Sequence, residues 1–292
     1  MLVKFAVIAG SASKDLGKRI ARRIKAPYVE AKTRVFPDGE SKITFGRIPK
    51  NSVVLVVQST YPPVDTNLLQ ALSIISQARN VSSKIYAVIP YMGYARQDRQ
   101  FLSGEVVTMS IVAKMLKTAG AKKIIAVDIH SKTALNHFKI PKENISAIPE
   151  LAKYFKKMKL KNALVVSPDM GGALRAKKFA ALLNTDFIAL KKSRNRKTGK
   201  VLIQSSKVDV RGKDLILVDD IISTGGSVIK AAQFLKRQKC KRVFVACTHG
   251  LFVGDAEKRI KMAGVSRIIS TNTIPRNTSK VDVSGVIADS IR

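Results

Sequence analysis

Short apolar runs alternate with amphipathic stretches along the whole of this 292-residue chain, and that alternation leaves few folds open. Strands are predicted over Leu2–Ala9, Val53–Gln58, Lys84–Ile89, Lys123–Val127, Ala163–Ser167, Asp186–Leu190, Asp214–Val218, Lys241–Cys247 and Arg267–Ser270. Helices are predicted over Lys14–Lys25, Asp65–Arg79, Glu105–Lys117, Glu150–Met158, Gly172–Leu183, Ser227–Gln238 and Asp255–Ala263. Several strands are apolar at nearly every position, as required when helices cover both faces of a sheet. Strand–helix alternation of this kind gives parallel, doubly wound sheets, hence an α/β fold.

Two of the strands end alike. Ile124-Ile125-Ala126-Val127-Asp128 and Leu215-Ile216-Leu217-Val218-Asp219 finish on aspartates 91 residues apart, a distance one α/β domain fills. This reads as a coarse duplication, with a boundary near residue 145, close to Pro141 and Pro149. The length suits two domains, each with its own core. In such sheets ligands sit beyond the carboxyl ends of the strands, so the segments that follow the strands are where chemistry is sought.

Composition excludes more than it selects. Hydrophobic residues make up 46% and charged residues 25%, which is globular usage. No apolar run reaches the roughly 18 residues that span a bilayer. Lys4 and the short apolar stretch after it could open a signal peptide, but a buried first strand running into a glycine turn accounts for the same residues. Cys240 and Cys247 lack the spacing of a metal knuckle and read as core-filling thiols in a reducing cytoplasm. Lys and Arg number 53 against 20 Asp and Glu, a formal charge of +33, which favours capture of anions without choosing among them. Lys153, Lys156, Lys157, Lys159 and Lys161 read as a solvated basic face.

The richest segment is Val218-Asp219-Asp220-Ile221-Ile222-Ser223-Thr224-Gly225-Gly226-Ser227. An apolar strand delivers two carboxylates, and a Thr-Gly-Gly-Ser turn then opens a helix. Glycines admit a close ligand, and the first N–H groups of the helix point at an anion with the dipole behind them. Carboxylates beside such a cradle suit vicinal sugar hydroxyls, so the loop reads as a pocket for ribose bearing a 5′-phosphate. A P-loop, a dinucleotide G-x-G and a G-x-S-x-G elbow are all absent from the sequence.

Other strand ends carry their own signals. In Ser167-Pro168-Asp169-Met170-Gly171-Gly172, Asp169 can take Mg²⁺ while glycine amides bind a diphosphate. Asp128-Ile129-His130 is expected to set both polar side chains on one side of an extended segment, within reach of a metal. His137 and His249 are assigned to packing or surface. Tyr94-Ala95-Arg96-Gln97-Asp98-Arg99 suits a polyphosphate chain, or a salt-bridged surface loop. Phe36-Pro37-Asp38-Gly39-Glu40 reads locally as a turn; functionally it offers a ring to stack on adenine and acids for its amine. Lys191 to Lys200 holds six basic residues among polar ones, either a nucleic-acid patch or a lid over phosphates.

Taken in order, FPDGE, YARQDR, VDIH, SPDMGG, Lys192-Ser193-Arg194, VDDIISTGGS, Thr248-His249-Gly250 and TNTIPR at Thr271 to Arg276 resemble the motifs of ribose-phosphate pyrophosphokinases. The resemblance implies two similar phosphoribosyltransferase-type domains, 1–145 on the ATP side and 146–292 on the ribose 5-phosphate side. It implies Mg²⁺-dependent transfer of pyrophosphate from ATP to the C1 hydroxyl of ribose 5-phosphate, feeding nucleotide biosynthesis. By motif match, Phe36, Asp38, Gly39 and Glu40 would meet adenine from a neighbouring subunit, and Arg96 and Gln97 would hold the triphosphate. His130, Asp169 and Asp128 would serve Mg²⁺. Asp219 and Asp220 would take the ribose hydroxyls, and Ser223, Thr224, Gly225, Gly226 and Ser227 the 5′-phosphate. Lys192 and Arg194 would be catalytic, with Arg194 also touching ribose 5-phosphate. A cytoplasmic homo-oligomer with ATP near a subunit contact is implied, with no membrane and no specific nucleic-acid partner.

Ser223 stands where many relatives carry an acid, which bears on ribose contacts and metal number rather than on the reaction. Three rivals are distinguishable. A salvage phosphoribosyltransferase would not need FPDGE or the lid. A non-catalytic paralogue should have lost Lys192, Arg194 or His130. A nucleic-acid binder leaves the aspartate-rich glycine loops idle.

Overall fold

The computed structural model describes residues 4–194, 201–204 and 209–291. The chain forms two compact units. The first runs through Ser146 and takes in Asn272–Pro275 and the segment from Val283 onward; the second holds Ala147–Thr271 and Arg276–Asp282. A single cut near residue 145 therefore does not divide the chain, because its carboxyl end returns to the first unit.

The first unit contains β1 (Phe5–Ala9), α1 (Lys14–Ile24), β2 (Tyr28–Glu30), β3 (Lys32–Val35), β4 (Ser41–Thr44), β5 (Val53–Val57), α2 (Val64–Ala78), β6 (Ile85–Ile89), α3 (Thr108–Ala119), β7 (Ala121–Val127), α4 (Lys132–Asn136) and β8 (Lys142–Ile145). Six strands form a parallel sheet in the order β2-β1-β5-β6-β7-β8. β3 and β4 form a separate antiparallel hairpin.

The second unit contains α5 (Ile148–Lys157), β9 (Ala163–Ser167), α6 (Ala173–Leu183), β10 (Phe187–Ala189), β11 (Lys191–Arg194), β12 (Val201–Gln204), β13 (Asp214–Ile222), α7 (Gly226–Arg237), β14 (Arg242–Gly250), α8 (Ala256–Met262), β15 (Val265–Thr271) and β16 (Ser279–Val281). Its parallel sheet has the order β10-β9-β13-β14-β15-β16, and β11 pairs antiparallel with β12. Both sheets thus share one strand order, and each carries its antiparallel hairpin between its second and third strands.

That order corrects the reading of the repeat. Asp128 follows the fifth strand of its sheet, whereas Asp219 lies on the third strand of the other. The counterpart of β13 is β5, and that of β7 is β15. Both matched strands are buried on two faces, and such strands look alike wherever they sit in a sheet.

Two-sided burial is visible in the second unit. Leu164, Val166, Leu215, Leu217, Val243 and Val245 pack into one cluster with Val228 and Ala232 of α7 and Ile260 of α8. The residues between them, Val165, Ile216, Val218, Phe244 and Ala246, pack into another with Phe155 of α5 and Phe179 of α6. Period-two alternation thus feeds two cores from the same strands. The Phe155 ring meets Phe179 and Phe244 edge-on, with centroids 5.7 and 6.4 Å away.

The last helix, α9 (Ser284–Asp289), packs on α1, and Arg23 Nε donates to Ser284 Oγ at 2.8 Å. Ser59 Oγ, just past β5, donates to the carbonyl of Thr273 at 2.7 Å. These bonds hold the returning segment in the first unit. Among the described residues, no helix is long and apolar enough to cross a membrane.

Candidate active site

In the second unit β9 and β13 are neighbours in parallel register, so the segments that follow them lie side by side at one edge of the sheet. After β9 the chain turns at Asp169, whose carboxylate accepts from the Gly172 amide at 3.3 Å. Ser167 Oγ donates to the Asp169 carbonyl at 2.6 Å. A Cβ on Gly172 would lie 2.5 Å from that hydroxyl, so glycine is required there.

β13 runs four residues beyond its expected end and carries Asp219 and Asp220 within the ladder. The guanidinium of Arg175, on the first turn of α6, reaches both: Nη1 lies 3.3 Å from Asp219 Oδ1 and Nη2 3.3 Å from Asp220 Oδ2. The Asp220 amide also donates to Asp219 Oδ1 at 2.9 Å. Burial first, and then the adjoining Asp220 carboxyl, push Asp219 up to about 8 against the pull of Arg175.

Beyond β13, Ser223 is half-buried and Thr224 exposed. Gly225 has φ 75°, and a Cβ there would lie 2.8 Å from Ile260 Cδ1. A Cβ on Gly226 would meet nothing within 4 Å. α7 begins at Gly226, one residue earlier than expected. The N–H groups of a first helical turn point away from the helix body, so those of Gly226 and Ser227 are aimed at whatever enters from this side. This end of the unit has two carboxylates, one carboxylate-capped glycine turn and one helix start with open space before it. It can hold a polyhydroxylated anion.

Lys192 and Arg194 lie on β11, opposite Ile203 and Val201 of β12. The expected basic lid continues through residues 195–200, which lie outside the described residues.

In the first unit, Phe36–Glu40 forms the tip of the β3–β4 hairpin. Phe36 N–H donates to the Glu40 carbonyl at 2.8 Å, and Gly39 N–H to the Phe36 carbonyl at 2.9 Å. Gly39 takes φ 94°, and Glu40 N–H donates to Asp38 Oδ1 at 3.1 Å. Asp38, Gly39 and Glu40 are exposed, and the guanidinium of Arg34 stands 5.1 Å over the Phe36 ring.

Asp128 departs from expectation. β7 ends at Val127, and Asp128 adopts a left-handed φ of 39°, so Asp128-Ile129-His130 is not one extended segment. Asp128 is half-buried, Ile129 buried and His130 exposed. The bend is fixed by bonds from Asp128 N–H to the Ile145 carbonyl, at 2.8 Å, and from Ile129 N–H to Asn144 Oδ1, at 2.8 Å. Strand alternation does not survive a left-handed residue.

The Arg96–Gln97 loop and the His130 loop are joined. Asp98 is 3% exposed, and its carboxylate accepts from Ser131 Oγ, the hydroxyl that also caps α4. His137 Nε2 donates to the Asp98 carbonyl at 2.7 Å, so His137 ties down this loop instead of merely packing. Arg96 and Gln97 themselves are exposed. Sequence reasoning passed over Arg34, Asp98 as an anchor, Ser131 and Arg175. Asp98 and Ser131 each adjoin a candidate site residue, and that adjacency was the available signal.

Among the described residues, no cluster of three or more His, Cys, Asp or Glu could hold a metal by itself. Both cysteines are free and buried, and burial pushes both thiols up.

The comparisons agree with this geometry. Residues 5–120 match the sequence profile of the N-terminal domain of ribose phosphate pyrophosphokinase, and residues 138–282 that of the phosphoribosyl transferase domain. The chain is 37% identical to the ribose-phosphate pyrophosphokinase of Sulfurisphaera tokodaii, over 98% of this chain and 99% of that protein. It is 38% identical to that of Sulfolobus acidocaldarius, with the same coverage. The crystal structure of phosphoribosylpyrophosphate synthetase from Mycobacterium smegmatis matches 99% of this chain and 98% of its own with a TM-score of 0.87 at 29% identity. The chain belongs to the ribose-phosphate pyrophosphokinase family.

Proposed function

We propose that this chain transfers the terminal diphosphate of ATP to the C1 hydroxyl of ribose 5-phosphate, giving 5-phosphoribosyl 1-pyrophosphate and AMP. The C1 oxygen forms a bond to the β-phosphorus, the bond from that phosphorus to the AMP oxygen breaks, and the hydroxyl proton is released. The observation that carries this reading is the side-by-side placement of the Asp169–Gly172 turn and the Asp219–Ser227 segment on neighbouring strands.

The chain's residues act mainly by alignment and charge. Asp219 and Asp220 accept from the ribose hydroxyls. The Ser223–Ser227 turn receives the 5′-phosphate at the start of α7. Arg96 and Gln97 hold the triphosphate on a loop that Asp98 anchors. Phe36 stacks on adenine, backed by Arg34, while Asp38, Gly39 and Glu40 accept and shape its edge. Lys192 and Arg194 offset charge that builds in the transition state.

Asp128 and His130 of the first unit, and Asp169 of the second, are each the kind of sparse donor Mg²⁺ accepts when most of its ligands come from phosphate and water. Bound there, Mg²⁺ would neutralise phosphate charge. The exposed, self-bonded hairpin tip supports a homo-oligomer in which adenine is met across a subunit contact. A cytoplasmic location fits the two unpaired thiols.

The test is to mix the protein with Mg²⁺, ATP and ribose 5-phosphate and identify the nucleotide product. AMP with 5-phosphoribosyl 1-pyrophosphate is expected. ADP would mean transfer of a single phosphoryl group and would overturn the reading.

A further inference from the structure

Arg175 has no role in the transfer as assigned above, yet it touches both acids of β13. Successive strand residues send their side chains to opposite faces, but here one guanidinium fork spans Asp219 and Asp220, with 3.3 Å to each. The side chain is 21% exposed, and the Asp220 side chain 7%, so the contact is largely withdrawn from water. The same guanidinium abuts the other turn at this edge, since a Cβ on Gly172 would lie 3.4 Å from its Nη1.

Two adjoining carboxylates left to themselves repel, or settle on a shared proton. A planar fork with two donors can hold both oxygens as acceptors and fix the angle between them. A lysine ammonium is a point charge and cannot do so at both ends.

We propose that Arg175 is a positioning residue for sugar recognition. Its fork keeps Asp219 and Asp220 oriented so that both accept from the vicinal hydroxyls of ribose, and it thereby sets the preference for ribose 5-phosphate over 2-deoxyribose 5-phosphate. The proposal rests on the assignment of the acid pair to the ribose hydroxyls made above.

The experiment follows AMP formation by the full chain with each sugar phosphate, for the wild type, Arg175→Met and Arg175→Lys. Arg175→Met is expected to raise KM for ribose 5-phosphate about 10- to 100-fold, with KM for ATP held within about twofold. The ratio of kcat/KM for ribose 5-phosphate to that for the deoxy sugar should shrink by a similar factor, and Arg175→Lys should recover only part of it. An unchanged sugar ratio, or KM values for ATP and sugar rising together, would overturn the proposal. If Arg175→Met shows no cooperative thermal transition, the lysine variant carries the same criteria. A wild type that yields ADP instead of AMP sinks the reaction assignment, and that result is read before any variant is made.

Discussion

His137 Nε2 lies 2.7 Å from the backbone carbonyl oxygen of Asp98. A carbonyl can only accept, so this nitrogen carries the ring proton. The bond closes a brace begun by Ser131 on the Asp98 carboxylate, and it sets the height of the loop that presents Arg96 and Gln97.

Removing that brace should act on nucleotide before sugar. Asp98→Ala is expected to raise KM for ATP about tenfold, and His137→Phe about threefold, with KM for ribose 5-phosphate little altered. Steady-state kinetics with each substrate varied in turn checks this.

Asp219 predicts a pH signature in the ligand-free protein. Its folded value of about 8 lies above the ordinary carboxyl value of 3.8. The stability it contributes is therefore complete at low pH, falls as the unfolded chain ionises, and is gone once pH rises past the folded value. Asp219→Asn removes this dependence. The variant should melt higher than the wild type at pH 9, by on the order of 5 °C, with the gap closing toward pH 4. Thermal melts across that range decide it, and the same variant should lose sugar affinity.

The two glycines before α7 should respond differently to alanine. Gly225→Ala places a side chain at φ 75° and 2.8 Å from Ile260 Cδ1, so a loss of about 1–3 kcal/mol is expected from calorimetry. Gly226→Ala meets no protein atom within 4 Å and should leave the melting temperature unchanged. Its methyl group would stand at the proposed 5′-phosphate position, so KM for ribose 5-phosphate should rise.

Lys192→Ala should cut turnover roughly 100-fold while ATP affinity changes little, since the role proposed for Lys192 acts chiefly on developing charge. Single-turnover kinetics and equilibrium ATP binding separate the two effects. Equal turnover would remove Lys192 from the mechanism.

Most strands legible in the sequence are buried on both faces, because an unbroken apolar run such as Val53–Val57 is stable only between two covering layers. Tyr28–Glu30, Lys142–Ile145 and Ser279–Val281 are short and polar-rich, so their periodicity could not be seen. The same two-sided burial erased the cue to sheet position, which is why Asp128 and Asp219 passed for equivalents. Most candidate site residues could be singled out because glycines and acids at strand ends are costly without a purpose. Arg175 could not, since it sits in a helical pattern as one of 53 basic residues. Its meaning depends on β9 and β13 being neighbours, and the return of α9 to α1 likewise leaves no local trace.

The two antiparallel hairpins occupy the same crossover in their respective sheets. An excursion at that point leaves every parallel ladder bond intact, so its tip can change in length and chemistry while Ile43 of β4 keeps its place against the first core. Under the adenine contact proposed above, exchange of the Phe36–Glu40 tip between relatives is thus a modular route to altered nucleotide selectivity. The scaffold would tolerate the graft even where the chemistry does not.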